Sequence, residues 1–171
     1  MDHLWSPWRY RYIHKDLPEE GCIFCLQPAT EDDRAHYIVY RGQHNFVILN
    51  LYPYTTGHLM IVPYRHIASL QEATPEELAE MAALAREAEG HLTAAYSPKG
   101  FNIGMNIGES AGAGIAGHLH LHVLPRWPGD ANFITVIGET RVMPETLSDT
   151  YAKLKALWAA PAPHPPGSAN R

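Results

Sequence analysis

The sequence predicts an α+β domain: an antiparallel sheet of about five strands, with one long helix across it and a second helix near the C-terminus. Three observations carry this reading. Several short apolar runs are each bounded by Gly, Pro or Asn, the pattern of strands joined by tight connections. One long stretch opens on Thr74-Pro75 and then repeats its apolar residues at three- and four-residue spacing. No internal repeat or long linker divides the chain, and 171 residues suit one core, so all these elements belong to a single domain.

In chain order, the N-terminal residues form an aromatic arm (Trp5, Trp8, Tyr10, Tyr12) that either crosses to a partner or packs on its own domain. His36 to Tyr40 reads as the first strand, and a turn at Gly42 leads to the second, Phe46 to Leu49. His58 to Val62 is the third, entered through Gly57 and closed by Pro63. The long helix follows. Thr74 fits the N-cap, Pro75 the first helical position and Glu77 the far half of a capping box. Leu78, Met81, Ala85, Ala88, Leu92 and Ala95 give it one buried stripe. Phe101 to Asn106 and His118 to Leu124 are the fourth and fifth strands. A last helix begins near Pro144, with Leu147, Tyr151, Leu154 and Trp158 as its apolar face. The domain therefore runs over residues 1–158, and the Pro-, Ala- and Gly-rich residues 159–171 form a disordered tail.

Composition narrows the function. A formal net charge of -5 argues against a broad basic surface, and so against nucleic acid as a partner. No apolar run approaches the roughly 20 residues that span a bilayer, and the N-terminus lacks the apolar core of a secretory signal. The expected address is cytoplasmic. In a reducing compartment the only two cysteines, Cys22 and Cys25, read as half a metal site, a redox pair, or a reduced buried pair without metal.

The chemistry concentrates in His118-Leu119-His120-Leu121-His122-Val123. On a strand, alternate side chains share a face, so the three imidazoles would point one way with neighbours about 6.5–7 Å apart, while Leu119, Leu121 and Val123 face the core. Imidazole can serve as nucleophile, general acid or metal ligand near neutral pH. One zinc bound by all three is disfavoured, because a flat strand does not bring three successive same-face rings to a single ion. The run is preceded by Asn106-Ile107-Gly108-Glu109-Ser110-Ala111-Gly112-Ala113-Gly114, whose small residues let backbone N–H groups approach an anion.

The pattern His-φ-His-φ-His-φ-φ resembles the signature of the histidine triad (HIT) superfamily. The order of Cys22-x-x-Cys25, paired strands, Gly57-His58, the Pro63 to Ile67 segment, long helix, Asn106-x-Gly108 and triad is similar to that family over residues 20–125. The flanks Leu4 to Arg9 and Pro125 to Phe133 resemble its bacterial branch, which includes diadenosine tetraphosphate phosphorylases, also called ATP adenylyltransferases. The resemblance implies a HIT-like sheet and a nucleotidyl-histidine intermediate. His120 would attack the α-phosphate, His122 would bind the phosphate and hold the nucleophile, and His58 would line the pocket. Asn50 would hold the ribose hydroxyls, while Asn106, Gly108 and Ser110 would meet the phosphates. Many hydrolase members carry Gln four residues before the first histidine. Gly114 stands there instead, so a phosphate-orienting amide is absent, which favours the phosphorylase branch.

By position, the resemblance also implies a structural Zn2+ held by Cys22, Cys25, His66 and His118, and a homodimer. The substrates expected are adenine nucleotides or dinucleoside polyphosphates, cleaved by phosphorolysis or hydrolysis. The competing readings are a nucleotide-binding or signalling module with residual phosphoramidase-type activity, and a zinc-structured interaction domain. The intact triad speaks for the enzyme, since a binding module need not keep a nucleophile.

Overall fold

The computed structural model describes residues 21–132, 135, 137 and 143–159. The aromatic arm and residues 160–171 of the expected tail lie outside the described residues. Five strands form one sheet: β1 (Ile38–Arg41), β2 (Asn45–Leu49), β3 (Leu59–Pro63), β4 (Gly100–Gly104) and β5 (Leu121–Arg126). Their order is β1-β2-β3-β5-β4 and every neighbouring pair is antiparallel. Among the described residues the helices are α1 (Ile23–Leu26), α2 (Asp33–His36), α3 (Pro75–Tyr96) and α4 (Leu147–Ala159), with a 3-10 turn over Glu109–Ala111.

Why the central strands read as continuous apolar runs is clear from the layers. Val39, Val47, Leu49, Leu59, Ile61 and Val123 face Met81, Leu84, Ala88 and Leu92 of α3 and Tyr151, Leu154 and Trp158 of α4. The alternate residues Ile38, Phe46, Ile48, Met60 and Val62 face the other way and meet Phe24 of α1. Both faces of β2 and β3 are therefore buried. Each fully buried Val, Leu, Ile or Phe contributes about 1.5–3 kcal/mol, so these strands anchor the site.

The long helix forms as its caps dictate. Glu77 N–H donates to Thr74 Oγ1 at 3.3 Å and Thr74 N–H to Glu77 Oε2 at 2.8 Å, a complete capping box. Its stripe also includes Leu84 and His91, while Leu78 is only half-buried. The last helix starts at Leu147 rather than near Pro144, where Thr146 Oγ1 accepts the Asp149 N–H at 3.2 Å.

Two strand starts differ from expectation by more than one residue, for physical reasons. His36 closes α2, which Asp32 caps by accepting the Ala35 N–H at 3.0 Å, and Tyr37 then turns left-handed at φ 57° before β1 begins. A single helical turn has no apolar period to reveal it. The fifth strand begins at Leu121, not His118. His118 N–H turns back to the Ile115 carbonyl at 3.4 Å and Leu119 N–H donates to the Ile67 carbonyl at 2.6 Å, so this segment pairs with the loop after β3. β4 ends at Gly104, which leaves Asn106 in the following loop.

Candidate active site

Of the three histidines in the run, only His122 lies on the sheet, registered with Met60 of β3 and Gly104 of β4. Leu119, Leu121 and Val123 enter the main core as the alternation predicts. The imidazoles are not an evenly spaced row on an open face. His118, His120 and His122 are 1%, 5% and 7% exposed, and the His120 and His122 ring centroids are 4.8 Å apart and perpendicular. The bend before β5 turns His118 away from the other two.

Burial holds all of these rings neutral. Desolvation lowers the pKa of His118, of His120 and, to about 4, of His122, where the neighbouring His120 adds to it. His58 is pushed down to about 3 by burial and then by His122 and His120. A neutral imidazole carries one N–H and one lone pair, so each partner fixes the tautomer.

His120 is read most simply. Its Nδ1 lies 2.8 Å from the His118 carbonyl oxygen, which can only accept, so Nδ1 holds the proton and Nε2 the lone pair. The ring is thus oriented and uncharged, with an Nε2 lone pair able to act as a nucleophile.

His122 is set through His58. The Tyr54 backbone N–H donates to His58 Nδ1 at 3.1 Å, with the Asn50 amide Nδ2 also 3.4 Å away. His58 Nδ1 is therefore the acceptor, and Nε2–H donates to His122 Nδ1 at 2.9 Å. The proton of His122 must then lie on Nε2. The relay Tyr54 to His58 to His122 ends in a donor, the form needed to bind a phosphate oxygen and to steady the charge on a departing one. The Tyr54 ring closes over both, with centroids 4.7 Å from His58 and 5.9 Å from His122. Asn50 is buried, and its Oδ1 accepts the Tyr52 N–H at 2.9 Å.

Beyond His118 lies a second cluster. His118 Nε2–H donates to the Pro63 carbonyl at 2.9 Å, which leaves the Nδ1 lone pair facing Cys22 Sγ at 3.3 Å and Cys25 Sγ at 3.6 Å. His66 Nδ1 is 3.4 Å from Cys25 Sγ. The four donor atoms lie within 4.8 Å of one another. Thiolate and imidazole ligands around a tetrahedral zinc stand about 3.5 Å apart, from bonds of about 2.3 and 2.0 Å. The set of two thiols and two imidazoles therefore fits such an ion, and the Pro63 carbonyl supplies the outer hydrogen bond that orients a metal-bound histidine. Without an ion, burial and the neighbouring Cys22 push the Cys25 thiol pKa up.

The loop after β4 places Asn106, Gly108 and Ser110 between Gly104 and the triad. Gly108 takes φ +81°, open to glycine, and caps the 3-10 turn in which Ser110 is exposed. Two residues escaped the sequence reading. Tyr54 acts through its backbone N–H, which no side-chain pattern announces. Phe24 was in view inside Cys22-Ile23-Phe24-Cys25, but only the fold shows what its ring touches.

The HIT domain family matches residues 32–129, more than half of the chain. The chain belongs to that family. It is 42% identical over 166 residues to the AP-4-A phosphorylase of Mycobacterium tuberculosis, spanning 93% of this chain and 85% of that protein. Among solved structures it resembles a zinc-bound histidine triad family protein from Mycobacterium smegmatis, with TM-score 0.65 and 29% identity over 80% of this chain and 91% of that one. A hypothetical histidine triad nucleotide-binding protein from Sulfolobus tokodaii gives TM-score 0.60 and 31% identity, over 79% and 87% of the two chains.

Proposed function

We propose that the protein is a nucleotidyl-transferring enzyme that cleaves dinucleoside polyphosphates by phosphorolysis through a covalent intermediate on His120. The observation that carries this reading is the tautomer of His120, tied at Nδ1 and free at Nε2, beside a proton-bearing His122 Nε2. The similarity to a relative named AP-4-A phosphorylase supports the substrate class. His120 Nε2 forms a bond to the α-phosphorus, and the bond from that phosphorus to its bridging oxygen breaks. His122 Nε2–H donates a hydrogen bond to the departing polyphosphate, which leaves as its anion, and His58 takes part by holding that N–H in place. Inorganic phosphate then attacks the same phosphorus and breaks the phosphorus–nitrogen bond. From diadenosine tetraphosphate the products are ATP and ADP.

In this reading Asn106, Gly108 and Ser110 meet the phosphates. Asn50 holds the ribose, with the Oδ1 lone pair that Tyr52 does not use. The ion held by Cys22, Cys25, His66 and His118 is Zn2+; when bound it supplies a structural cross-link between α1, the loop after β3 and the start of the triad. A homodimer and a cytoplasmic address complete the proposal. The exposed edge of β4 supports the first. For the second, no helix among the described residues is long and apolar enough to cross a membrane, and Cys22 and Cys25 are not joined in a disulfide.

The test is product analysis of diadenosine tetraphosphate with and without phosphate. ATP plus ADP that appear only with phosphate are expected. ATP plus AMP formed without phosphate would make the enzyme a hydrolase. His120→Ala should lower turnover by at least about 10³-fold while nucleotide affinity stays near that of the parent. A variant that keeps its rate rules out the covalent route.

A further inference from the structure

One side chain joins the Cys22–Cys25–His66–His118 cluster to His120. Phe24 stands between Cys22 and Cys25 on α1 and is 2% exposed. Its ring is perpendicular to His118, 5.5 Å between centroids, and tilted against His120 at 5.2 Å. The same turn that presents both thiols, with Cys25 N–H and Leu26 N–H donating to the Cys22 carbonyl at 3.0 Å each, thus presents a wedge to the nucleophile.

The geometry points to Phe24 as a positioning residue that couples the Cys22–Cys25–His66–His118 cluster to the orientation of the His120 imidazole. One hydrogen bond, Nδ1–H to the His118 carbonyl, fixes a point on the His120 ring but leaves it free to rock about that point. A second constraint is needed to aim Nε2. The His122 ring supplies one wall at 4.8 Å and Phe24 supplies another at 5.2 Å. The Phe24 wall is held from behind. The ring packs in the small core with Ile38, Phe46, Ile48, Met60 and Val62, and its backbone belongs to the turn that carries the thiols. An ion that ties Cys22 and Cys25 to His118 would therefore clamp both constraints on His120: the His118 carbonyl and the Phe24 ring. Core packing alone would also bury Phe24, so the separating quantity is the aim of the His120 ring rather than stability.

This inference rests on His120 being the nucleophile, and its test includes a readout that does not. Full-length Phe24→Ala, Phe24→Val and Phe24→Met are each supplied with zinc, and metal content is measured. Melting temperature, KM, kcat and the ¹⁵N–¹H signals of the histidine rings are then compared with the parent. In the Ala and Val variants KM should stay within about twofold while kcat falls about 10- to 100-fold, the scale of a misaimed reacting group. Their His120 signal should lose the single Nδ1–H form. Met refills the volume and contacts aromatic rings well, so it should restore most of the rate and the spectrum. If the Ala variant does not fold, the Val variant carries the comparison. A parent-like kcat and an unchanged His120 signal in a zinc-loaded Ala or Val variant would overturn the proposal, whatever the change in melting temperature. Should His120→Ala retain turnover, the nucleophile reading fails separately, and the ring signals still report whether Phe24 holds His120.

Discussion

His118 and His122 are the outer members of one run, and both carry their proton on Nε2, yet they leave opposite atoms free. His118 spends its N–H on the Pro63 carbonyl and turns a lone pair toward the thiols of Cys22 and Cys25. His122 spends its lone pair on His58 and keeps an N–H for a ligand. Between them His120 takes the other tautomer and keeps a lone pair at Nε2. The lesson is that the role of a histidine here follows from which ring atom its neighbours use up. On the proposed reading the thiol end serves as a ligand, the relay end as a donor, and the middle as a nucleophile.

The comparison breaks most easily at the thiol end. Cys22→Ser should abolish stoichiometric zinc binding and lower stability by several kcal/mol, since binding to a site absent from the unfolded chain is folding free energy. Turnover should fall with it, because the His118 carbonyl that orients His120 loses its anchor. Elemental analysis and a thermal melt decide the matter. A variant that keeps one zinc and melts like the parent would show that the cluster is only a reduced thiol pair beside two imidazoles.

At the relay end the expected effect is on rate alone. His58→Ala leaves His122 Nδ1 without its donor, so the His122 proton is no longer fixed on Nε2. The kcat for diadenosine tetraphosphate should fall about 10²-fold, the scale of losing one donor aimed at developing charge, with zinc content unchanged. A substrate whose leaving group spreads its own negative charge, such as the p-nitrophenyl ester of AMP, depends less on that hydrogen bond and should lose less rate. An equal loss on both substrates would mean that His58 does not act through proton placement.

How much of this was legible beforehand differs between the two ends. The thiol cluster was readable as a set of four residues, although the spacing of Cys22 and Cys25 alone left the metal, redox and metal-free readings open. The strands and the long helix were readable because β2 and β3 are apolar on both faces and α3 carries a complete cap. The geometry of the triad was not, because strict alternation implies a strand, while the backbone of His118 and Leu119 pairs with Ile115 and Ile67 instead. Nor was the relay, since the group that sets the His58 tautomer is a main-chain N–H. Patterns of side chains announce which residues matter, whereas tautomers depend on carbonyls and amides that sequence does not distinguish.

A smaller change should sharpen the contrast by touching one end only. Arg65 precedes the candidate ligand His66 and binds Glu77 through Nε and Nη2, each at 2.7 Å. Glu77 is buried and also closes the capping box of α3. That pairing with Arg65, and then the Thr74 N–H, draw the Glu77 pKa down to about 2. The folded value lies below the ordinary 4.5, so the stabilisation is present in full above about pH 4.5 and is lost as pH falls toward 2. Glu77→Gln should lower the melting temperature at pH 7 by about 2–4 °C, the cost of one weakened cap in a chain of this size. The deficit should shrink as pH falls below 4.5, where the parent loses the same charge. Zinc affinity should weaken through the Arg65–His66 segment while the zinc-saturated variant cleaves diadenosine tetraphosphate as before. If zinc affinity is unchanged and the diadenosine tetraphosphate rate drops, the clamp serves the relay rather than the thiol end, and the two regions are not separate.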